Sequence, residues 1–123
     1  MKEKAEELFH KAWTKGWDTK FGGLYFALSS IEDLIDSDKN YWVMAEAISA
    51  ASLLAVKTKN NQYWKAYDLL FNYCWKYLID HQHGGWYQLL NNENKMYSDE
   101  KSPVPKTDYH PVAACYQTIR VLT

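Results

Sequence analysis

Shifting this chain by about 62 residues lays Leu8 on Leu70, Phe9 on Phe71, Trp13 on Trp75, Asp18 on Asp80, Gly22-Gly23 on Gly84-Gly85, Tyr25 on Tyr87 and Leu28 on Leu90. A repeat of that length restricts the fold severely. Each unit has an apolar face that it cannot bury alone and that a neighbouring unit must cover. The unit reads as a helix, a Gly-Gly loop with a short hairpin, and a second helix, with boundaries near residues 1–56 and 62–122. When the longer loop of the second unit is allowed for, Tyr41-Trp42 opens the second helix of unit one just as Tyr109-His110 opens that of unit two. The aromatic pair and the histidine are therefore expected side by side at one rim. Two such units stack, but they do not close a ring.

The individual segments agree with this plan. Ala5, Leu8, Phe9, Ala12 and Trp13 give an amphipathic helix over residues 2–15, and Gly16 is a natural stop. The glycine pairs permit backbone reversals at positive φ, and alternating apolar residues after Gly23 predict a short extended arm. Residues 33–40 are polar and acidic and read as a loop. The helix over residues 41–56 is apolar or small almost all round, which implies burial on more than one side. Glu46 is its exception, and a lone carboxylate there needs a partner or a polar cavity. A third helix over residues 62–79 carries Tyr63, Ala66, Tyr67, Leu70, Cys74, Tyr77 and Leu78 on one face. Residues 91–94 suit a hairpin tip, and residues 97–106 an extended connection. A last helix is expected from Pro111, at the first helical position, through Val112, Cys115, Tyr116, Ile119 and Leu122. Trp13, Trp75, Cys74 and Cys115 are expected in the core, with both thiols reduced.

Several function classes drop out. Formal net charge is -1 with both signs interspersed, so neither a nucleic acid nor an anionic membrane surface has a footprint here. No apolar run is long enough to span a bilayer, the first residues lack the apolar core of a signal peptide, and a cytoplasmic location is expected. His81 and His83 flank a Gly-Gly loop without the further ligands of a zinc site, so no metal is assigned to them. The glycine loops do not lead into a Walker lysine. What the composition does stress is rings: six Trp and ten Tyr exceed what a plain helical bundle needs. Such rings either line a sugar cleft or await cover from another part of a larger fold.

Residues 39–46 (Lys-Asn-Tyr-Trp-Val-Met-Ala-Glu), Gly84-Gly85-Trp86-Tyr87, and Lys101-Ser102-Pro103 through Lys106-Thr107-Asp108-Tyr109-His110-Pro111 together resemble the C-terminal third of the N-acylglucosamine 2-epimerase superfamily. Cellobiose 2-epimerases and mannose isomerases belong to it. The resemblance covers nearly the whole chain, in order. It implies an all-α fold, two helical-hairpin repeats of an (α/α)6 toroid with short β-hairpin loops, forming a single partial domain.

The resemblance also implies a sugar 2-epimerase or aldose–ketose isomerase of mono- or disaccharides, working without cofactor or metal by histidine acid/base proton transfer at the carbon next to the carbonyl. His110 matches one of the paired catalytic histidines. Trp42 and Glu46 match positions that face the sugar, where the ring can stack on sugar and the acid can bind hydroxyls or orient a histidine, with Tyr41, Tyr109 and Asp108 as neighbouring substrate-binding candidates. The family usually has tryptophan and glutamine where this chain has Tyr41 and Met44. Its partner histidine comes from upstream hairpins, and His10, His81 and His83 do not stand where it would. The missing hairpins would be supplied by a complementing N-terminal chain or by self-association. The alternative is a non-catalytic carbohydrate- or protein-binding remnant.

Overall fold

The computed structural model describes all of residues 1–123. Four helices carry the fold: α1 (Lys2–Gly16), α2 (Tyr41–Thr58), α3 (Asn61–Tyr77) and α4 (Tyr109–Leu122). Four short strands, β1 (Ala27–Leu28), β2 (Leu34–Asp36), β3 (Lys39–Asn40) and β4 (Leu89–Leu90), pair as two antiparallel ribbons, β1 with β2 and β3 with β4. The chain is thus all-α in substance, two helical hairpins joined by β-hairpin loops, and it closes no barrel. No helix is long and apolar enough to cross a membrane.

The centre is α2, which packs on both α3 and α4. That explains its nearly uniform apolarity: Met44, Ile48 and Ala51 join Leu70, Tyr73, Cys74, Leu78 and Leu90 in the main core. Asn40 caps α2 by accepting the Trp42 N–H, and Asn60 caps α3 by accepting the Gln62 N–H. Lys59 between them takes the left-handed conformation that ends one helix before the next begins.

The two Gly-Gly loops are built alike. The Asp18 carboxylate accepts the N–H groups of Lys20 and Phe21, and the Asp80 carboxylate those of Gln82 and His83. Each glycine has φ between 77 and 82°. A lysine then closes each loop: Lys39 reaches Asp18 at 2.9 Å and Lys101 reaches Asp80 at 2.6 Å. Lys39 and Lys101 also stand at the repeat shift, an equivalence the sequence contains but that only their shared partner type makes conspicuous. Burial pushes the Asp18 carboxyl up, but the Lys39 ammonium and the two backbone N–H groups outweigh it and hold the group below the usual range.

Four expectations need correcting. Residues 33–40 are not plain loop: β2 folds back on β1 around a turn in which the Ser29 hydroxyl accepts the N–H groups of Ile31 and Asp33. Pro111 is the third residue of α4 rather than the first, behind the N-cap Asp108. Proline fits there because no N–H in a first helical turn has a helical partner. Trp75 is 53% exposed and Cys115 is exposed as well, because no element of the chain covers that side of α3 and α4. Trp13, half-buried, stacks between Phe9 and Trp17. Both cysteines are free, and burial pushes the Cys74 thiol well up.

Candidate active site

The starts of α2 and α4 lie together because the strand before each is tied to the other unit. β3 pairs with β4, the Tyr41 N–H reaches the Gln88 carbonyl at 3.0 Å, and the Tyr41 hydroxyl donates to the Thr107 carbonyl at 2.8 Å. One turn into α2, Glu46 Oε1 accepts a 2.7 Å hydrogen bond from His110 Nδ1. The Trp42 ring stands 5.5 Å from the imidazole, tilted by 36°, and Tyr109 lies edge-on at 5.3 Å. The pair is open to the outside, with the His110 side chain 33% and the Glu46 side chain 51% exposed. Trp42, Glu46, Tyr109 and His110 therefore form one accessible cluster.

A family profile described as N-acylglucosamine 2-epimerase (GlcNAc 2-epimerase) matches residues 1–114. The chain belongs to the N-acylglucosamine 2-epimerase family. Among its relatives, the D-mannose isomerase of Marinomonas mediterranea is 44% identical over 120 residues, which cover 98% of this chain and 30% of that protein. The D-mannose isomerase of Thermobifida fusca is 30% identical over 88 residues, 71% of this chain and 22% of that one. A crystal structure of a D-mannose isomerase superposes with a TM-score of 0.94 at 43% identity, over 97% of this chain and 30% of that one. The cellobiose 2-epimerase of Spirochaeta thermophila shares the fold, with a TM-score of 0.81 at 16% identity over 97% of this chain and 32% of that one. The match falls in the C-terminal portion of the epimerase toroid, and the chain spans between 22% and 32% of the length of each of these relatives.

Two of the expected residues are engaged by other partners. Tyr41 is only 4% exposed, its hydroxyl bound to Thr107, so it braces the two helix starts instead of offering a surface to sugar. Asp108 ion-pairs with Lys106 at 2.7 Å, and the carboxylate on His110 is Glu46, 64 positions away in sequence. Lys106 was not singled out by its sequence context. Its side chain is 2% exposed, and its ammonium sits 4.9 Å above the Tyr41 ring, so the Tyr41 brace is held from the other side as well. Phe26, edge-on to Trp42 at 6.1 Å, was likewise missed; at the repeat shift it meets Gln88, so the repeat gave no signal for it. The other histidines are occupied locally: His10 on Tyr63, His81 on the Trp75 carbonyl, His83 beside Asp80.

Proposed function

We propose that this chain supplies an acid/base imidazole and part of the sugar-facing wall of a sugar 2-epimerase or aldose–ketose isomerase acting on a mono- or disaccharide. The observation that carries the reading is the 2.7 Å bond between His110 Nδ1 and Glu46 Oε1. A carboxylate only accepts, so the proton in that bond belongs to Nδ1, and the Nε2 lone pair is left to act as base. His110 Nε2 takes the proton from the carbon next to the sugar carbonyl. The C–H electron pair becomes the C–C double bond of an enediolate, and the carbonyl oxygen takes the negative charge. Return of a proton to the opposite face of that carbon gives the epimer; return to the neighbouring carbon interconverts aldose and ketose. Glu46 fixes the imidazole and balances the charge it gains.

Trp42 and Tyr109 flank the imidazole as flat surfaces on which a pyranose can lie. The second acid/base group, needed on the opposite face, stands outside residues 1–123. The names of the relatives, D-mannose isomerases, support a monosaccharide. A remnant that merely bound sugar or protein would gain nothing from an imidazole locked by a carboxylate.

The test is a chimera in which this chain replaces the matching part of the M. mediterranea D-mannose isomerase, assayed by solvent deuterium entering mannose. His110→Gln should lower exchange at least 10²-fold. Exchange that persists in that variant removes His110 from the reaction, and a chimera that binds mannose without exchange favours the non-catalytic reading.

A further inference from the structure

Helix α4 joins the fold differently from the other three. The main apolar core draws on α2, α3 and the hairpins, with Phe9 and Trp13 of α1 at its margin, and contains no residue of α4. The face of α2 that carries Ser49 and Ser52 continues through Ala45, and the face of α4 that carries Thr118 continues through Pro111 and Ala114. All six are buried. Faces made of such small side chains pack closely but give little to key one helix against the other. How α4 lies on α2 is therefore left to the polar contacts across the seam.

Those contacts lie above and below the site. At the top is the bond from the Tyr41 hydroxyl to the Thr107 carbonyl, and next comes the pair of Glu46 and His110. Further down, Ser49 Oγ donates to Gln117 Oε1 at 2.8 Å, and the Ser52 and Thr118 hydroxyls meet at 3.2 Å. The Ser52 proton is committed to the Ser49 carbonyl, 2.9 Å away, so Thr118 Oγ1 donates and Ser52 Oγ accepts. Gln117 is exposed, and water can replace its bond. Ser52 and Thr118 are 0% and 6% exposed, so theirs has no such substitute.

A helix tied only at its start can pivot about that tie. Thr118 lies eight residues beyond His110, about 12 Å along the axis at about 1.5 Å per residue, so a bond there removes the pivot. We propose that Ser52 and Thr118 are positioning residues: with Tyr41 and Thr107 they hold α4 on α2 at both ends of the site and so keep the His110 imidazole on Glu46. The demand is strict because the imidazole and its carboxylate come from different helices. Productive geometry tolerates about 0.5 Å, and a displacement of about 1 Å costs on the order of 10²-fold in rate. The rate consequence rests on the acid/base reading of His110 above; the hold on the imidazole does not.

The test compares Thr118→Val with Thr118→Ser in the chimera described above. Valine keeps the shape and removes the hydroxyl while Ser52 retains its bond to the Ser49 carbonyl, so melting should change little. The kcat for deuterium exchange into mannose should fall about 10-fold with KM unchanged, and serine, which keeps the hydroxyl, should recover it. Imidazole 15N shifts of His110, assigned against His110→Gln in alkaline buffer where the ring is neutral, give a second readout. They should place the proton on Nδ1 in the parent and show a mixture of both tautomers in Thr118→Val. If that variant melts early, Ser52→Ala with Thr118→Val, which leaves no hydroxyl facing an apolar partner, carries the same expectation. Early melting of both, parental kcat and 15N shifts in a stable valine variant, or a loss that serine does not recover would each overturn the proposal. A chimera inactive before substitution counts against the acid/base reading alone, and the 15N shifts then decide the positioning by themselves.

Discussion

Replacing Lys39 by methionine tests how the rim is held, and its repeat counterpart Lys101 provides the control. The Lys39 side chain is 0% exposed and its ammonium lies 2.9 Å from an Asp18 carboxylate that is itself 4% exposed. Lys39→Met keeps the length and apolar stem but leaves that carboxylate buried without its cation. Removing one partner of a buried ion pair costs about 3–5 kcal/mol. Asp18 retains the N–H groups of Lys20 and Phe21, which argues for the lower end, about 3 kcal/mol, or a fall in Tm of about 10 °C for a chain of this size. Lys101→Met, at a partly exposed ammonium that water can replace, should cost clearly less.

The pH dependence has a definite sign. The Asp18 carboxyl is held below its ordinary value, so its stabilising contribution is full above about pH 4 and is lost as pH falls through the lower folded value. Without Lys39, burial favours the protonated acid, and the gap between parent and variant should narrow as pH falls from 7 towards 4. Urea unfolding followed by circular dichroism at several pH values measures each quantity. A Lys39→Met cost below about 1 kcal/mol, the median worth of an exposed pair, or one no larger than that of Lys101→Met, would refute the reasoning.

Gly23→Ala should destabilise by more than about 2 kcal/mol, since positive φ and the Tyr73 ring oppose it together, whereas Gly84→Ala meets open space and should cost only the backbone term of about 1–2 kcal/mol; urea midpoints compare them. In the native chain an aromatic disulfide reagent should titrate one thiol, Cys115, and reach the buried Cys74 only on unfolding; two fast thiols would contradict its burial. In the chimera, Glu46→Gln should lower kcat about 10²-fold with KM little changed, and a change confined to KM would make Glu46 a sugar contact instead of an orienting group.

The repeat was legible because it is written in the positions that physics least allows to vary: the glycines at positive φ, the aspartate that closes each loop, and the rings four residues apart on the outer helices, Phe9 and Trp13 in one, Phe71 and Trp75 in the other. Glu46 was legible as a residue in need of a partner, because a carboxylate on so apolar a helix has few alternatives. Its partner was legible only through the family resemblance, as one of two options, sugar hydroxyls or a histidine. Asp108 stands only two residues from His110, yet its side chain pairs with Lys106 while α2 brings Glu46 across the seam. The same holds for Tyr41, whose ring type suggested a sugar surface until packing buried it under Lys106.

Periodicity records which residues share a face, and that much the sequence alone determined: four helices, two glycine hairpins and an apolar central helix. Whether a face is covered depends on what lies beside it in space. Phe9 and Phe71, or Gly23 and Gly85, are equivalent as letters, but one of each pair has a neighbouring hairpin and the other does not. Burial is a property of the neighbour as much as of the residue, so only the tertiary structure decided which rings are core, which are open flank, and which carboxylate meets the imidazole.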